Sequence, residues 1–279
     1  MTTIRSPAVA GQFYAGSRDA LHQQIESVFA HDVGPGSVSN APASGTAIHG
    51  VVSPHAGYPY SGPVAAHGFA RLAATEEPDV VVAVGPNHGR LGDPLAVTAA
   101  SAWETPLGRV PIATTLRDRL VELTDLSVDE RAHAKEHSIE VQVPFVQYLF
   151  EDVSLLPIVM SQQDRDSVDR LVAALSELPT ADRSVVFIAS TDLTHYEPAS
   201  RAQKLDEPIL AAIENLDADA VLDRIEAGHT MCGGGPTAAI MRTVSNCGAS
   251  GGRVLQYATS GDTRGPTREV VGYVSATLE

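Results

Sequence analysis

The sequence has few of the features that place a chain in a specialised class of protein. Its 279 residues include only two cysteines, too few for a disulfide framework, which indicates a reducing compartment. The longest unbroken apolar runs, such as residues 80–84, fall far short of the roughly 20 residues that span a membrane as a helix. Residues 1–16 lack the basic start and long apolar stretch of a secretory signal peptide. We therefore expect a cytoplasmic protein with no membrane partner.

Positive charge is scarce as well. Lysine and arginine together number 19 against 34 acidic residues, which gives a net charge of −15. Because a field of this sign repels phosphate groups, we expect no nucleic acid among the partners. The hydrophobic fraction of 43% and the charged fraction of 19% are those of an ordinary globular protein, which excludes a wholly disordered chain.

Short motifs that reveal a chemistry are missing from the chain. It has no phosphate-binding loop, no Gly-x-Gly-x-x-Gly after a strand and no serine-hydrolase elbow. The chain is rich in imidazole instead, because ten histidines accompany a single tryptophan. Histidine is the commonest metal ligand and a common proton shuttle, so the positions of the histidines carry the functional argument.

Strand-like and helix-like segments alternate along the chain without a break in composition. The clearest strand candidates are apolar, β-branched runs typical of strands covered on both faces, at residues 79–85, 154–160 and 184–190. The predicted helices include residues 17–29, 62–74 and 137–150. A stretch rich in glycine, proline and serine, residues 33–46, is predicted to be a surface loop. The alternation predicts one α/β domain over residues 1–279.

Three histidines each follow the end of a predicted buried strand. His55 comes after GVVS, His88 after VVVAVG and His195 after VVFIAS. In open α/β sheets the binding crevice lies outside the carboxyl ends of the strands, so three parallel neighbours would bring these histidines into one pocket. The alternative is that each is an ordinary loop histidine with a local hydrogen bond.

Cys232 is the fourth candidate, because it precedes three glycines and the start of a predicted helix. A helix N-terminus stabilises a thiolate, and the thiolate is both metal ligand and nucleophile. The alternative is a small buried residue at a turn. Cys247 has no histidine nearby and is interpreted as structural. Four further histidines follow no pattern that indicates a role: His31, His49, His133 and His229.

Two carboxylates, those of Asp192 and Glu136, lie close in sequence to a histidine. Asp192 lies three residues before His195, so a tight turn can place its carboxylate beside the imidazole and fix the tautomer. That pair would suit proton transfer, whereas the alternative is that Asp192 caps the turn. Glu136 and His137 open the predicted helix 137–150, where Glu136 either caps the helix or lines the pocket.

Six segments together identify a family resemblance. In chain order they read PHAGYPYSGPVAAHGF, GPNH, WETPLG, EHSIEVQVPF, STDLTHY and CGGGP. In this order they resemble the MEMO (mediator of cell motility) family, whose bacterial and archaeal members are also named as protein B of the AmmeMemoRadiSam system. The resemblance runs from about Ser6 to the end of the chain. It implies a mixed β-sheet core covered by helices, similar to class III extradiol dioxygenases, and it implies AMMECR-type and radical-SAM proteins as partners.

The resemblance also implies a ligand set. Matched by motif, the metal-pocket residues are His55, His88 and Cys232, while Asp192 and His195 are the catalytic polar residues, with His195 at the acid/base position of the dioxygenases. Those dioxygenases bind iron through two histidines and a carboxylate, whereas this chain offers a thiol in the third place. Two imidazoles and a thiolate favour softer or redox-active metals, so the expected cofactor is one ion of iron or copper.

Three functions remain open from the sequence. The first is a redox-active metal-binding protein, the second a dioxygenase-like enzyme with His195 as general acid/base, and the third a non-catalytic module that binds a small molecule or peptide. Neither the substrate nor the role of Glu136 and His137 follows from the sequence.

Overall fold

The computed structural model describes residues 3–38, 47–74, 77–178 and 183–279. Part of the predicted loop 33–46, namely residues 39–46, lies outside the described residues, and residues 33–38 contain no strand or α-helix. Within the described part of the chain, no helix is long and apolar enough to cross a membrane.

The described chain forms twelve strands in two sheets. In chain order the strands are β1 (Ile4–Arg5), β2 (Gly50–Ser53), β3 (Val80–Pro86), β4 (Leu95–Val97), β5 (Ala102–Thr105), β6 (Gly108–Pro111), β7 (Ser127–Val128), β8 (Ser154–Met160), β9 (Val185–Ser190), β10 (His195–Glu197), β11 (Gly252–Thr259) and β12 (Val270–Leu278). The large sheet has the order β10-β12-β2-β9-β3-β8-β4-β7, with β11 paired to β12, and the small sheet has the order β1-β5-β6.

The helices lie between these strands. They are α1 (Arg18–Phe29), α2 (Tyr58–Ala73), α3 (Thr114–Leu123), α4 (Glu130–His133), α5 (Val143–Leu149), α6 (Arg165–Ser176), α7 (Ala199–Glu214), α8 (Ala218–Glu226), α9 (Gly234–Asn246) and α10 (Ser260–Thr263), with a 3-10 helix at Glu140–Gln142.

The centre of the large sheet is parallel and buried on both faces. Strands β2, β9, β3 and β8 are parallel neighbours, and all seven residues of β3 are buried. Successive side chains of a strand point to opposite faces; accordingly, Val82 and Val84 pack with residues of α6 and α9, whereas Val81 and Ala83 pack with residues of α1 and α2. Helices therefore cover both faces of a mixed sheet, which confirms the predicted fold class.

Two predicted helices differ from those observed. Helix α2 begins at Tyr58, five residues before Pro63, because Tyr58 is buried and its hydroxyl donates to the carbonyl of Val141 at 2.9 Å. A proline still begins this helix, because Pro59 lies in its first turn, four residues before the proline that was predicted to do so. The predicted helix 137–150 is replaced by the 3-10 helix and α5, whose first turn contains Pro144, where a missing N–H costs little.

Candidate metal centre

Three loops at one edge of the large sheet and one turn from elsewhere form the site. Strand β9 lies between β2 and β3, so the chain segments that follow these strands meet at the carboxyl edge of the sheet. His55 follows β2, His88 follows β3, and Cys232 lies in the turn before α9. One donor atom from each of the three lies within 4.8 Å of the others. Two donor atoms bound to one ion at about 2.0–2.3 Å lie at most roughly 4.6 Å apart. The distances between these three donor atoms are therefore close to those that binding to a single ion requires.

The tautomer of His55 follows from its hydrogen bonds. His55 is 1% exposed, and its Nδ1 lies 2.9 Å from the hydroxyl of Ser190. That hydroxyl donates its proton to the carbonyl of Ser138 at 2.6 Å and accepts a hydrogen bond from Nε2 of Gln142. A hydroxyl carries one proton, so Nδ1 of His55 is the donor in their contact. The lone pair of Nε2 is therefore free, and it faces Sγ of Cys232 at 3.2 Å.

Electrostatics keep His55 neutral. Burial lowers the pKa of its imidazole well below the usual value, and the positive charges of the neighbouring imidazoles lower it further. A neutral imidazole is the form that binds a metal.

His88 is oriented by a carboxylate. Its Nδ1 lies 2.9 Å from Oε1 of Glu136, and its backbone N–H donates to Oε2 of the same residue at 2.5 Å. Nδ1 is thereby the hydrogen-bonded nitrogen, and Nε2 is the atom left for a metal. A carboxylate behind a histidine is a common support for a metal ligand.

Glu136 both caps a turn and supports the pocket. Besides His88, its carboxylate accepts hydrogen bonds from the backbone N–H groups of His137 and Ser138, both at 2.8 Å. Burial raises the pKa of this carboxyl, but the hydrogen bond and charge of His88 and the amide of Ser138 outweigh burial and lower the pKa to about 2. In turn, burial lowers the pKa of His88, and Glu136 outweighs it, so the pKa of His88 is raised. The two alternatives left open by the sequence for Glu136 are thus both met.

The turn that carries Cys232 is enclosed on three sides. Gly233 ends this turn, and Gly234 and Gly235 begin α9. A Cβ atom added to any of the three would lie within 3 Å of a neighbour: for Gly233, 2.3 Å from the carbonyl oxygen of Ser190; for Gly234, 2.5 Å from Cγ1 of Ile225; for Gly235, 2.8 Å from Cβ of Gln163. The run of glycines therefore lets strand β9, helix α8 and the segment after β8 all close on this turn.

The ionisation of Cys232 differs from the expectation. Burial raises the pKa of its thiol well above the usual value, and the charge of Asp192 raises it further. The predicted stabilisation of a thiolate is therefore wrong for the metal-free protein, because burial outweighs the lowering effect of the hydrogen bonds from the Asp192 amide and from Thr191. Because Nε2 of His55 carries no proton, the thiol is the donor in the contact between Sγ and Nε2.

His195 is held by main-chain carbonyls. Its Nδ1 lies 2.7 Å from the carbonyl oxygen of Leu193 and 3.0 Å from that of Thr230. Since a carbonyl only accepts, Nδ1 carries the proton and Nε2 is the basic nitrogen. Among the described residues, the three-donor groups compact enough for one ion do not include His195.

Asp192 supports a different histidine from the one expected. Its Oδ1 accepts a hydrogen bond from the backbone N–H of His55 at 2.8 Å, so the expected orientation of His195 by this carboxylate is wrong. The strand order explains the difference, because β9 lies beside β2 and the residues that follow the two strands are in contact. Burial raises the pKa of Asp192 to about 6, against the lowering effect of the His55 amide and of the charge of His195.

The sequence left open whether His137 contributes to the pocket, and in the structure it lies beside His88. Its ring stacks on that of His88 with centroids 4.7 Å apart, and its Nδ1 lies 3.3 Å from Oε1 of Glu136. These three residues form a second compact donor group. We interpret it as support for the first group, because Oε1 of Glu136 already accepts N–H groups from His88, His137 and Ser138. The only sequence signal was the position of His137 next to Glu136.

The N-terminal segment closes over the loop that carries Glu136. The guanidinium of Arg5 lies 2.7 Å from Oε2 of Glu140 and also donates to the carbonyls of His133 and Glu136. Glu140 is buried and accepts the hydroxyl proton of Tyr14 at 2.7 Å. Sequence reasoning missed this ion pair, because 135 residues separate its two members.

Comparisons with known proteins agree with these observations. The family model described as "Memo-like protein" matches residues 5–277. A MEMO1 family protein of Methanopyrus kandleri is 45% identical over 278 residues, with 97% of each chain covered, and one of Thermotoga maritima is 43% identical, with 98% of this chain and 99% of the relative covered.

A solved structure shows the same fold at low identity. An uncharacterized protein of Escherichia coli K12 matches with a TM-score of 0.54 and 14% sequence identity, over 84% of this chain and all of that one. At this identity the likeness concerns the fold alone. On the family match over nearly its whole length, the chain belongs to the Memo-like protein family.

Proposed function

We propose that the protein binds one transition-metal ion through Nε2 of His55, Nε2 of His88 and Sγ of Cys232. The observation that carries the proposal is the unprotonated Nε2 of His55, which faces the thiol at 3.2 Å while its Nδ1 is fixed by Ser190. The chemistry of the donor set fits an ion, because each imidazole has one nitrogen held by a hydrogen bond and the other free, the arrangement typical of metal-binding histidines.

The donor set favours iron or copper. Two imidazoles and a thiolate suit soft and redox-active ions, whereas magnesium and calcium prefer oxygen ligands. Such an ion supplies Lewis-acid and one-electron chemistry when bound. The protein residues supply position: Ser190 and Glu136 fix the two imidazoles, and the amide of Asp192 donates to Sγ of Cys232 at 3.2 Å.

A second candidate function, a dioxygenase-like enzyme, is favoured by one specific observation. Nδ1 of His195 is held by two carbonyls, so its Nε2 is a base with a fixed direction, and a general acid/base needs this arrangement. In that function His195 accepts a proton from a bound ligand at Nε2 and returns it. Consumption of oxygen with a catechol present distinguishes this candidate from a metal-binding protein without turnover.

Metal analysis tests the proposal. We expect protein purified without added metal, and then loaded with Fe²⁺ or Cu⁺, to hold about one ion per chain. Cys232→Ser is expected to lose most of this metal because the ligand thiolate is gone. Cys247→Ser, at an exposed cysteine outside the site, is the matched control and is expected to keep it. Equal metal content in the two variants would contradict the ligand set.

A further inference from the structure

Gln163 holds the turn that carries Cys232 from the side opposite β9. It lies three residues after the end of β8. Its Nε2 donates to the carbonyl oxygen of Cys232 at 2.8 Å, and its Oε1 accepts the backbone N–H of Gly235 at 2.9 Å. The donor and the acceptor of one side-chain amide therefore both bond to the short stretch where the turn joins α9.

Contacts from the segments that follow β8 and β9 together fix the main chain on both sides of the Cys232 Cα. The N–H of Cys232 donates to the carbonyl of Asp192 at 3.2 Å, while its own carbonyl accepts from Gln163. With both flanking peptide groups held, the Cα–Cβ bond has a fixed direction. Only the rotation about that bond remains to aim Sγ at Nε2 of His55.

The junction between this turn and α9 needs external support, because glycine is the last residue of the turn and also occupies the first two positions of the helix. Residues 233–235 are all glycine, and glycine has the greatest backbone freedom of any residue. Gly235 also leaves the space that Gln163 occupies, since a Cβ there would lie 2.8 Å from Cβ of Gln163. The glycine and the glutamine are therefore complementary in shape as well as in hydrogen bonding.

We infer that Gln163 is a positioning residue that sets the direction of the Cys232 thiol toward the two imidazoles. The inference rests on the proposed metal site, which the test addresses separately. A side chain in contact with a metal ligand typically changes metal affinity by about 10–100-fold when it is removed, and we expect Gln163 to act in this range.

The test compares Gln163→Leu with Gln162→Leu, a matched control at the exposed neighbouring glutamine. Metal-free protein is treated with a thiol reagent, and the rates at Cys232 and Cys247 are read separately by peptide mapping. Each protein is then titrated with Co²⁺, whose thiolate complexes have a charge-transfer absorption. We expect Gln163→Leu to raise the rate at Cys232 about tenfold, to leave Cys247 unchanged, and to weaken Co²⁺ binding at least about tenfold.

The outcomes separate the inference from the proposed function. Absence of thiolate–cobalt absorption in the wild type would overturn the metal site itself. A normal wild-type signal together with wild-type behaviour of Gln163→Leu would overturn the role of Gln163. Gln163→Glu covers the case in which the leucine variant does not fold: it keeps the acceptor for Gly235 but loses the donor to Cys232, so we expect an intermediate rate and affinity. Wild-type values in that variant would also contradict the inference.

Discussion

At the scale of single residues, hydrogen-bond partners determine which nitrogen of each imidazole faces the site. The Nδ1–H of His55 donates a hydrogen bond to Ser190, that of His88 donates to Glu136, and that of His195 donates to main-chain carbonyls. In all three rings Nε2 is the nitrogen left for the proposed chemistry. One nitrogen of each histidine is therefore held by the surrounding structure, and the other is available.

Removal of the Ser190 hydroxyl tests this division for His55. We expect Ser190→Ala to weaken metal binding about 10–100-fold, because Nδ1 loses its acceptor and the ring its fixed tautomer. Ser53→Ala removes a neighbouring buried hydroxyl that bonds Gln142 at 2.8 Å and not His55. Competition with a chelator measures both affinities, and wild-type affinity in Ser190→Ala would show that His55 does not depend on this hydroxyl.

Removal of His195 tests the separation of ligands from acid/base groups. His195→Ala is expected to keep most of the bound metal, because this residue lies outside the compact donor group. It is expected to lose any turnover that the wild type shows, since the basic Nε2 is gone. Metal loss as complete as that of His55→Ala would instead make His195 a ligand.

The sequence was sufficient to select His55, His88 and Cys232 as candidates, because strand ends and a glycine-rich turn are visible in a linear pattern. The partner of Asp192 was not predictable. Spacing of three residues pointed to His195, but the carboxylate bonds the backbone of His55, 137 residues away. Such contacts depend on which strands are neighbours, and strand order is not a local property of the chain.

At the scale of elements, the turn before α9 is the most constrained part of the site. A Cβ on Gly233 would lie 2.3 Å from a main-chain oxygen, which cannot move without shifting β9. By contrast, a Cβ on Gly251 would meet only the carbonyl oxygen of Glu214, at an ordinary 3.5 Å.

We expect Gly233→Ala to destabilise the protein by about 1–3 kcal/mol, the usual effect of overpacking, and to reduce metal content because Cys232 is displaced. Gly251→Ala is the matched control and is expected to change stability by less than about 0.5 kcal/mol. Urea unfolding followed by fluorescence measures both. A stable Gly233→Ala protein with full metal content would mean that the turn adapts without moving the thiol.

The first residues of α2 and α5 could not be predicted from the sequence pattern. Hydrophobic periodicity located both segments, but their first residues depend on contacts made elsewhere. Tyr58 joins α2 because it is buried against residues from the segment that contains Val141. A proline lies in the first turn of each observed helix, Pro59 in α2 and Pro144 in α5, but in α2 it is not Pro63, the proline that the sequence pattern selected.

At the scale of the whole molecule, the buried imidazole of His133 makes the free energy of unfolding depend on pH. It is fully buried, its Nε2 donates to the carbonyl of Ala96, and within the described residues its Nδ1 has no hydrogen-bond partner. Burial, and after it the charge of Arg5, lower the pKa of His133 to about 3, against smaller raising effects. The native protein therefore holds this ring neutral over a range where the unfolded chain protonates it.

The sign of the effect follows from proton binding. Between the unfolded pKa of about 6.5 and the folded pKa of about 3, the unfolded state binds more protons, so stability falls as the pH falls. The expected slope from His133 alone approaches about 1.4 kcal/mol per pH unit. His133→Gln keeps a donor for Ala96 and removes the titration. Urea unfolding of metal-free protein from pH 7 to 4 is expected to show a shallower slope in this variant, and parallel curves would contradict the assignment.

The separation of the ligands along the chain has a consequence for the biosynthesis of the protein. His55 and Cys232 are 177 residues apart, and strand β9, which lies between the strands that carry both histidines, is made late. A ribosome-bound chain that has emerged only as far as residue 200 contains two of the three donors and no thiol at this site. Because contacts between residues far apart in the chain form slowly, the nascent chain lacks the complete set of three proposed ligands. On the proposed ligand set, metal loading would require both the synthesis of Cys232 and folding, and we expect it to be a post-translational event.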